Sequence, residues 1–263
     1  MNTSSKEKQL SELARCINSS DAIDTSTSLE MYQNYICVAM EATAVTWCAL
    51  YKGPYGRDTW YTQVMNDWKV FDMKFPIGQN LDLEVVKKNF YAKAKKEGGV
   101  GAGIENMMSA AGQTRAQNVE NSMPFSEWEK HWEYDLWIKQ GIGDRMSGAF
   151  FLSEISESHV WVDRAIDQPR FEDSDKEKLI EIMNRFPRVQ RWWMLERGLL
   201  EPSTRPLSPR EKEVLKLLLQ PKSESEIANH LNLAAGTVHN YIVEIYKVFQ
   251  VGGRYELIQL WLQ

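Results

Sequence analysis

The hydrophobic and polar positions of this chain change period several times, and each change marks an element. Residues 6–17 and 28–40 carry apolar side chains at helical spacing. Residues 44–51 (AVTWCALY) form an apolar run rich in β-branched and aromatic residues, which predicts a buried strand. Residues 68–75 (WKVFDMKF) alternate loosely and predict a second strand. An amphipathic helix is predicted over 81–96, with Leu83, Val86, Phe90 and Ala94 on one side. Another is predicted over 126–139, where Ser126 and Glu129 make a capping box and Trp128, Trp132 and Leu136 share a face. Strands follow over 146–152 and 159–166. A long stripe over 173–199 then joins Leu179, Ile182, Met183, Phe186, Val189 and Trp193, with Pro187 inside it predicted to kink or divide the helix.

The pattern breaks at residues 198–206 (GLLEPSTRP), where two prolines, a glycine and small polar residues predict a linker. Beyond it the boundary signals are sharp. Ser208, Pro209 and Glu211 make a capping box with proline at the first helical position. Val214, Leu215, Leu217 and Leu218 supply that helix with an inward face, and Pro221 ends it. Ser223 and Glu226 cap a second helix whose apolar side is Ile227, Ala228 and Leu231, and Asn232 suits a turn. A third helix runs over 235–249. Val238, Tyr241, Ile242, Ile245, Val248 and Phe249 fall in one arc of it, and Asn240, Val243 and Lys247 fall nearly opposite. A short fourth helix over 254–262 has Leu257, Ile258, Trp261 and Leu262 as its apolar residues. The fold class expected is an α+β sandwich over 1–198, a linker over 199–206 and an all-α four-helix module over 207–263.

Composition narrows this little. The 263 residues are 43% hydrophobic and 25% charged, ordinary for a globular protein. No apolar run approaches the ~20 residues of a membrane span, and the amino end is polar, so a cytoplasmic protein without membrane contact is expected. Three scattered cysteines, Cys16, Cys37 and Cys48, argue against a disulfide framework. The net charge is −5, but the segment from Arg205 onward carries +1 and the remainder −6. That division permits a modest, site-specific contact with phosphates and argues against indiscriminate coating of nucleic acid. The four histidines have no partner at metal-ligand spacing, so no metal is expected. The glycines at 98, 99, 101 and 103 follow a lysine-rich helix, lack the Gly-Lys-Ser/Thr of a phosphate loop and read as a connector. With no nucleophile elbow or paired-cysteine motif, no enzyme and no cofactor are expected.

Two resemblances sharpen the expectation. Residues 207–257, through LSPREKEVLKLL, SEIANHLNL and GTVHNYIVEIYKVFQV, resemble the LuxR-type (GerE-like) helix-turn-helix family. The resemblance implies a transcription regulator whose four-helix module binds double-stranded DNA, with the third helix in the major groove, and dimerises through its last helix. Leu257 and Trp261 are the residues this assigns to dimerisation. More loosely, residues 143–191 resemble the closing part of a GAF or PAS-like sensor domain, which implies an N-terminal domain responsive to a small-molecule or protein effector. The chain departs from the LuxR-type pattern where Ala234 replaces a capping serine, His239 replaces a lysine and Glu224-Ser225 replaces an asparagine-lysine pair. The absent serine removes a cap of about 1 kcal/mol, and the reading face has fewer cations than usual. Quorum-sensing members mark an acyl-lactone pocket with Trp-x3-Tyr and Asp-Pro; Trp60-Tyr61 and Asp67-Trp68 do not reproduce that spacing, so an acyl-homoserine lactone is not expected.

By position, Asn240 is placed to pair with an adenine edge, and His239 and Lys247 to meet guanine or phosphate, with Val243 beside them. Thr237, at the helix start, is placed to hold a phosphate oxygen, and Lys222 and Ser223 to clamp its neighbour. Trp47, Trp128, Trp132 and Trp161 are candidates to wall a ligand pocket in the first domain, although a solid tryptophan-rich core is the commoner explanation for such residues. The expectation is a homodimeric one-component regulator; the alternative is a dimerisation or interaction adaptor with a degenerate helix-turn-helix.

Overall fold

A computed structural model describes residues 3–21, 25–55, 65–76, 83–97, 101 and 103–262. The helices are α1 (Thr3–Ser19), α2 (Thr25–Met40), α3 (Leu83–Glu97), α4 (Ile104–Ser109), α5 (Phe125–Trp128), α6 (Trp132–Lys139), α7 (Asp173–Arg185), α8 (Pro187–Glu196), α9 (Pro209–Leu218), α10 (Glu224–Leu231), α11 (Ala235–Val248) and α12 (Arg254–Leu262). The strands are β1 (Ala44–Lys52), β2 (Trp68–Lys74), β3 (Arg115–Asn118), β4 (Ile142–Ser153) and β5 (Ser156–Ala165). The chain divides into two compact units, one of Met1–Ile17 with Glu30–Pro187 and one of Asn18–Leu29 with Arg188–Gln263. Among the described residues no helix is long and apolar enough to cross a membrane.

The first unit is the expected α+β architecture. Its described strands form one antiparallel sheet in the order β2-β1-β5-β4-β3. Alternation along each strand sends successive side chains to opposite faces, and the register fixes which residues share one. Val160 lies opposite both Trp47 and Gly148, so these three are on one face. That face meets α7: a Cβ on Gly148 would stand 2.9 Å from Leu179 Cδ2 and 3.0 Å from Met183 Sδ, so the helix packs where no side chain intervenes. The other face carries Cys48, Leu50 and Ala149, which form a core with Trp68, Ala94, Met107 and Met108, against which Phe90, Trp132 and Trp161 pack.

This geometry corrects the expectation of a pocket walled by four tryptophans. Trp47 lies on the α7 face, one strand residue out of phase with Trp161, and its Nε1 donates to Ser158 Oγ at 2.7 Å. Trp128 sits in a separate cluster with Val119 and Trp137, its ring 4.5 Å from that of Trp137. Trp132 and Trp161 alone share a cluster, and there they pack on apolar side chains.

Charged groups are also inside this unit. Arg115 grips fully buried Glu157 with two hydrogen bonds of 2.7 and 2.9 Å, and His159 Nε2 lies 2.8 Å from the same carboxylate. Gly112 N–H donates to Glu157 as well, while Arg115 also donates to the carbonyls of Met107 and Gln113. Burial opposes the Glu157 charge, but the hydrogen bonds from His159 and Arg115 outweigh it and hold the carboxyl down at about 2. Burial pushes the His159 imidazole below its ordinary range. Arg145 makes a second bidentate pair with Asp163, at 2.6 and 2.9 Å, and lies over the rings of Trp137 and Trp161.

Several predicted elements differ in detail. The helix expected over 126–139 is two, because His131 is extended and caps α6 by accepting from the Glu133 N–H. Pro187 does divide the long helix, with Phe186 leaving helical geometry and proline opening α8. Neither α4 nor β3 was predicted; β3 reads RAQN, which has no apolar alternation to signal a strand. The glycine stretch at 98–103 lies largely outside the described residues, as do Trp60 and Tyr61.

In the second unit α8 and the start of α2 join the four C-terminal helices. Trp193 Nε1 donates to Ser28 Oγ at 3.0 Å, and Trp192 Nε1 donates to the Trp261 carbonyl at 2.8 Å. The adjacent tryptophans are therefore both buried but on different partners. The unit boundary falls at Pro187–Arg188, upstream of the stretch 199–206 read as a linker. That stretch is folded down: Leu199 and Leu200 are buried, Leu207 N–H donates to Arg197 O, and Thr204 N–H donates to Val248 O. Gly198 makes the turn possible at φ 67°, where a Cβ would come within 2.6 Å of Arg205 O.

Candidate nucleic-acid interface

The C-terminal helices start and stop where their local chemistry directs. At α9, Ser208 Oγ accepts from Glu211 N–H and Glu211 returns a bond to Ser208 N–H, with proline at the first turn. Arg205 adds a bidentate pair to Glu211 at 2.6 and 2.9 Å. Hydrogen bonding from Arg205, with help from Ser208 and against partial burial, holds the Glu211 carboxyl at about 2. The same capping box recurs at α10 with Ser223 and Glu226. Asn232 closes α10 in the left-handed region at φ 53° and ψ 47°, a conformation asparagine tolerates. Ala234 stands at the start of α11 with no side-chain cap, as its chemistry requires.

Helical period then sorts α11 into two faces. Val238, Ile242, Ile245, Val248 and Phe249 are at most 2% exposed and close a core with Val214, Leu215, Leu218, Ile227 and Leu257. Thr237, His239, Asn240 and Lys247 are exposed. Val243 is half-buried, as is Tyr241, which the 100° rule placed in the inward arc. Ser223 is exposed and Lys222 half-buried in the turn before α10. Of the expected reading residues, Thr237, His239, Asn240 and Lys247 are thus the exposed ones on α11, while Lys222 and Ser223 lie before α10.

Leu257 and Trp261, assigned to dimerisation from resemblance, are instead 0% and 2% exposed inside this unit. Trp261 stacks edge-on against Phe249 and accepts from Trp192, so both residues are occupied by their own chain. The exposed large apolar residues of α12 are Tyr255, 76% exposed, and Leu262, 71% exposed.

Three further groups shape the surface. Arg254 donates to the carbonyls of Leu218, Lys222 and Gln220, the first two at 2.8 and 2.6 Å, and so fastens the turn that presents Lys222 and Ser223. Nothing in the sequence pattern pointed to it, because its acceptors lie far upstream. Glu224 Oε2 lies 3.2 Å from His239 Nδ1, and Glu244 accepts from Lys247 Nζ at 2.6 Å. The second pair was readable as an i,i+3 spacing; the first needed the packing of α10 beside α11.

Residues 205–261 match the family described as bacterial regulatory proteins, luxR family (GerE). The transcriptional regulatory protein DesR of Bacillus subtilis (strain 168) is 47% identical over 53 residues, which are 20% of this chain and 27% of that protein. The chain thus matches about a quarter of that relative's length. Over the whole chain, the structure of SdiA in complex with octanoyl-rac-glycerol aligns at a TM-score of 0.44 and 16% identity, covering 99% of this chain and 95% of that one. A crystal structure of Escherichia coli SdiA aligns at 0.40 and 16% identity, covering 98% and 95%. Capping boxes, turn, inward face and sequence match converge on one segment: residues 205–261 are a helix-turn-helix domain of the luxR family of bacterial regulatory proteins.

Proposed function

We propose that this chain is a DNA-binding transcription regulator that acts as a homodimer in the cytoplasm, with its N-terminal unit responding to a small-molecule or protein effector. The observation that carries the reading is the division of α11, in which a fully buried apolar arc leaves Asn240, His239 and Lys247 together in solvent on the opposite side. A helix packed in this way has the width and the polar stripe to enter a major groove. Asn240 supplies the bidentate chemistry for adenine N6 and N7, and Lys247 a cation for guanine or phosphate. Thr237, Ser223 and Lys222 sit at helix starts, where backbone N–H groups favour phosphate oxygens. Val243, between the polar residues, offers an apolar contact for a thymine methyl. Dimer contact through α12 falls to Tyr255 and Leu262, since Leu257 and Trp261 face inward.

A specific observation also favours the adaptor reading: Lys247 and His239 each face a carboxylate, which lowers the attraction of this face for phosphate. The two readings part in one experiment, a gel-shift titration of wild type and the Asn240→Ala/Lys247→Ala double variant on duplex DNA enriched from a random pool. A reader loses about 5- to 160-fold in affinity, the range of one good base contact of about 1–3 kcal/mol, with an unchanged far-UV spectrum. Full affinity in the double variant rejects the proposed face, and wild-type binding insensitive to salt favours the adaptor.

A further inference from the structure

The two carboxylates on the reading face, Glu224 and Glu244, are both exposed. Glu244 sits one turn beyond Asn240 and just before Lys247, so its charge lies in the middle of the polar stripe. Glu224 opens α10 and reaches across to His239. Both pairs are exposed, with side-chain accessibilities of 49% and 60% for Glu224 and His239 and 49% and 66% for Glu244 and Lys247. Exposed pairs of this kind add little to stability. Their consequence falls on whatever the surface meets.

Resting on the DNA-binding reading above, we infer that Glu224 and Glu244 are specificity-determining residues, which suppress sequence-independent binding by withholding His239 and Lys247 from phosphates. An ionised carboxylate only accepts hydrogen bonds, so the His239 Nδ1 facing Glu224 carries the proton. In the neutral ring Nε2 is then left as an acceptor, which cannot bond a phosphate oxygen but can accept from an adenine or cytosine amino group. Lys247 is held toward Glu244, whose negative charge offsets its own and weakens its pull on a phosphate. The Glu244 carboxylate itself is repelled by every phosphate along the groove and is compensated only where a base offers an amino donor, as cytosine N4 does. Any duplex meets the repulsion; only some sequences relieve it.

The test uses the full chain and its Glu224→Gln and Glu244→Gln variants. Affinity is measured for a random-sequence 30-base-pair duplex (roughly three helical turns) and for a duplex enriched by the wild type from a random pool, across a salt series. Glu213→Gln serves as the control, because it removes one negative charge from α9, away from the stripe, and so matches the change in net charge. Each reading-face variant is expected to bind random sequence more tightly and with a steeper salt slope. One recovered phosphate contact adds about 0.9 to that slope and shifts the affinity ratio between 50 and 200 mM salt by roughly threefold to fourfold. The ratio of enriched to random affinity falls accordingly. Variants indistinguishable from Glu213→Gln overturn the inference while leaving the DNA-binding reading intact. A wild type that enriches no duplex and shows no salt dependence overturns that reading itself.

Discussion

The charge cluster on the N-terminal sheet and the outward face of α11 handle charge in opposite ways. In the N-terminal unit Arg115, Glu157 and His159 are buried together on the sheet, and the Glu157 carboxylate is met by four donors. In the helix-turn-helix unit Glu224, His239, Glu244 and Lys247 are exposed, each pair held by a single contact. A buried charge whose partner is removed has no water to replace it. An exposed one has, and can exchange its partner for a ligand. Where a charge is saturated and dry it organises the fold; where it is loosely paired and wet it is available for recognition.

Removing Arg115 is the severest way to test this contrast. Arg115→Ala strands Glu157, and losing one partner of a buried pair is expected to destabilise by about 3–5 kcal/mol, read as a lower urea midpoint for the transition that includes the sheet. A midpoint within error of wild type would mean that water reaches Glu157, and the contrast would fail. Acid probes both units at once. Glu157 and Glu211 are both held at about 2, below the ordinary carboxylate range, so each contributes stability that is complete above about pH 4.3 and is lost as pH falls toward 2. His159, held low by burial, adds a loss in the same direction that begins as pH falls through the ordinary histidine range. Urea midpoints measured from pH 7 to pH 2.5 are expected to fall throughout, most steeply below about pH 4.3. A flat profile would place these carboxylates in water. The gentlest test adds something. Ala234→Ser supplies the cap that α11 lacks and is expected to stabilise the C-terminal unit by about 1 kcal/mol, seen as slower amide exchange in α11; no change would show that the helix start is already satisfied.

The second unit was far more legible in the sequence than the first. Its signals are local: Ser208 with Glu211 and Ser223 with Glu226 lie three residues apart, and the apolar arc of α11 is a matter of angle along one helix. The sheet was less so. The long apolar strands β1 and β5 were visible, but β3 was not, because a four-residue polar strand is defined by its neighbour β4. Tryptophans counted along the chain suggested one pocket, while the strand phase separates Trp47 from Trp161.

By itself the chain order of residues determined the boundaries and capping chemistry of α9 and α10 and the inward and outward faces of α11, since each depends on interactions within a turn or two of backbone. Only the tertiary structure decided which charges are buried, that Trp192 occupies the carbonyl of Trp261, that residues 199–206 are folded down, and that Glu224 faces His239. Those facts join positions far apart in the chain. Such contacts are set by how whole elements pack, and no period along the sequence records them.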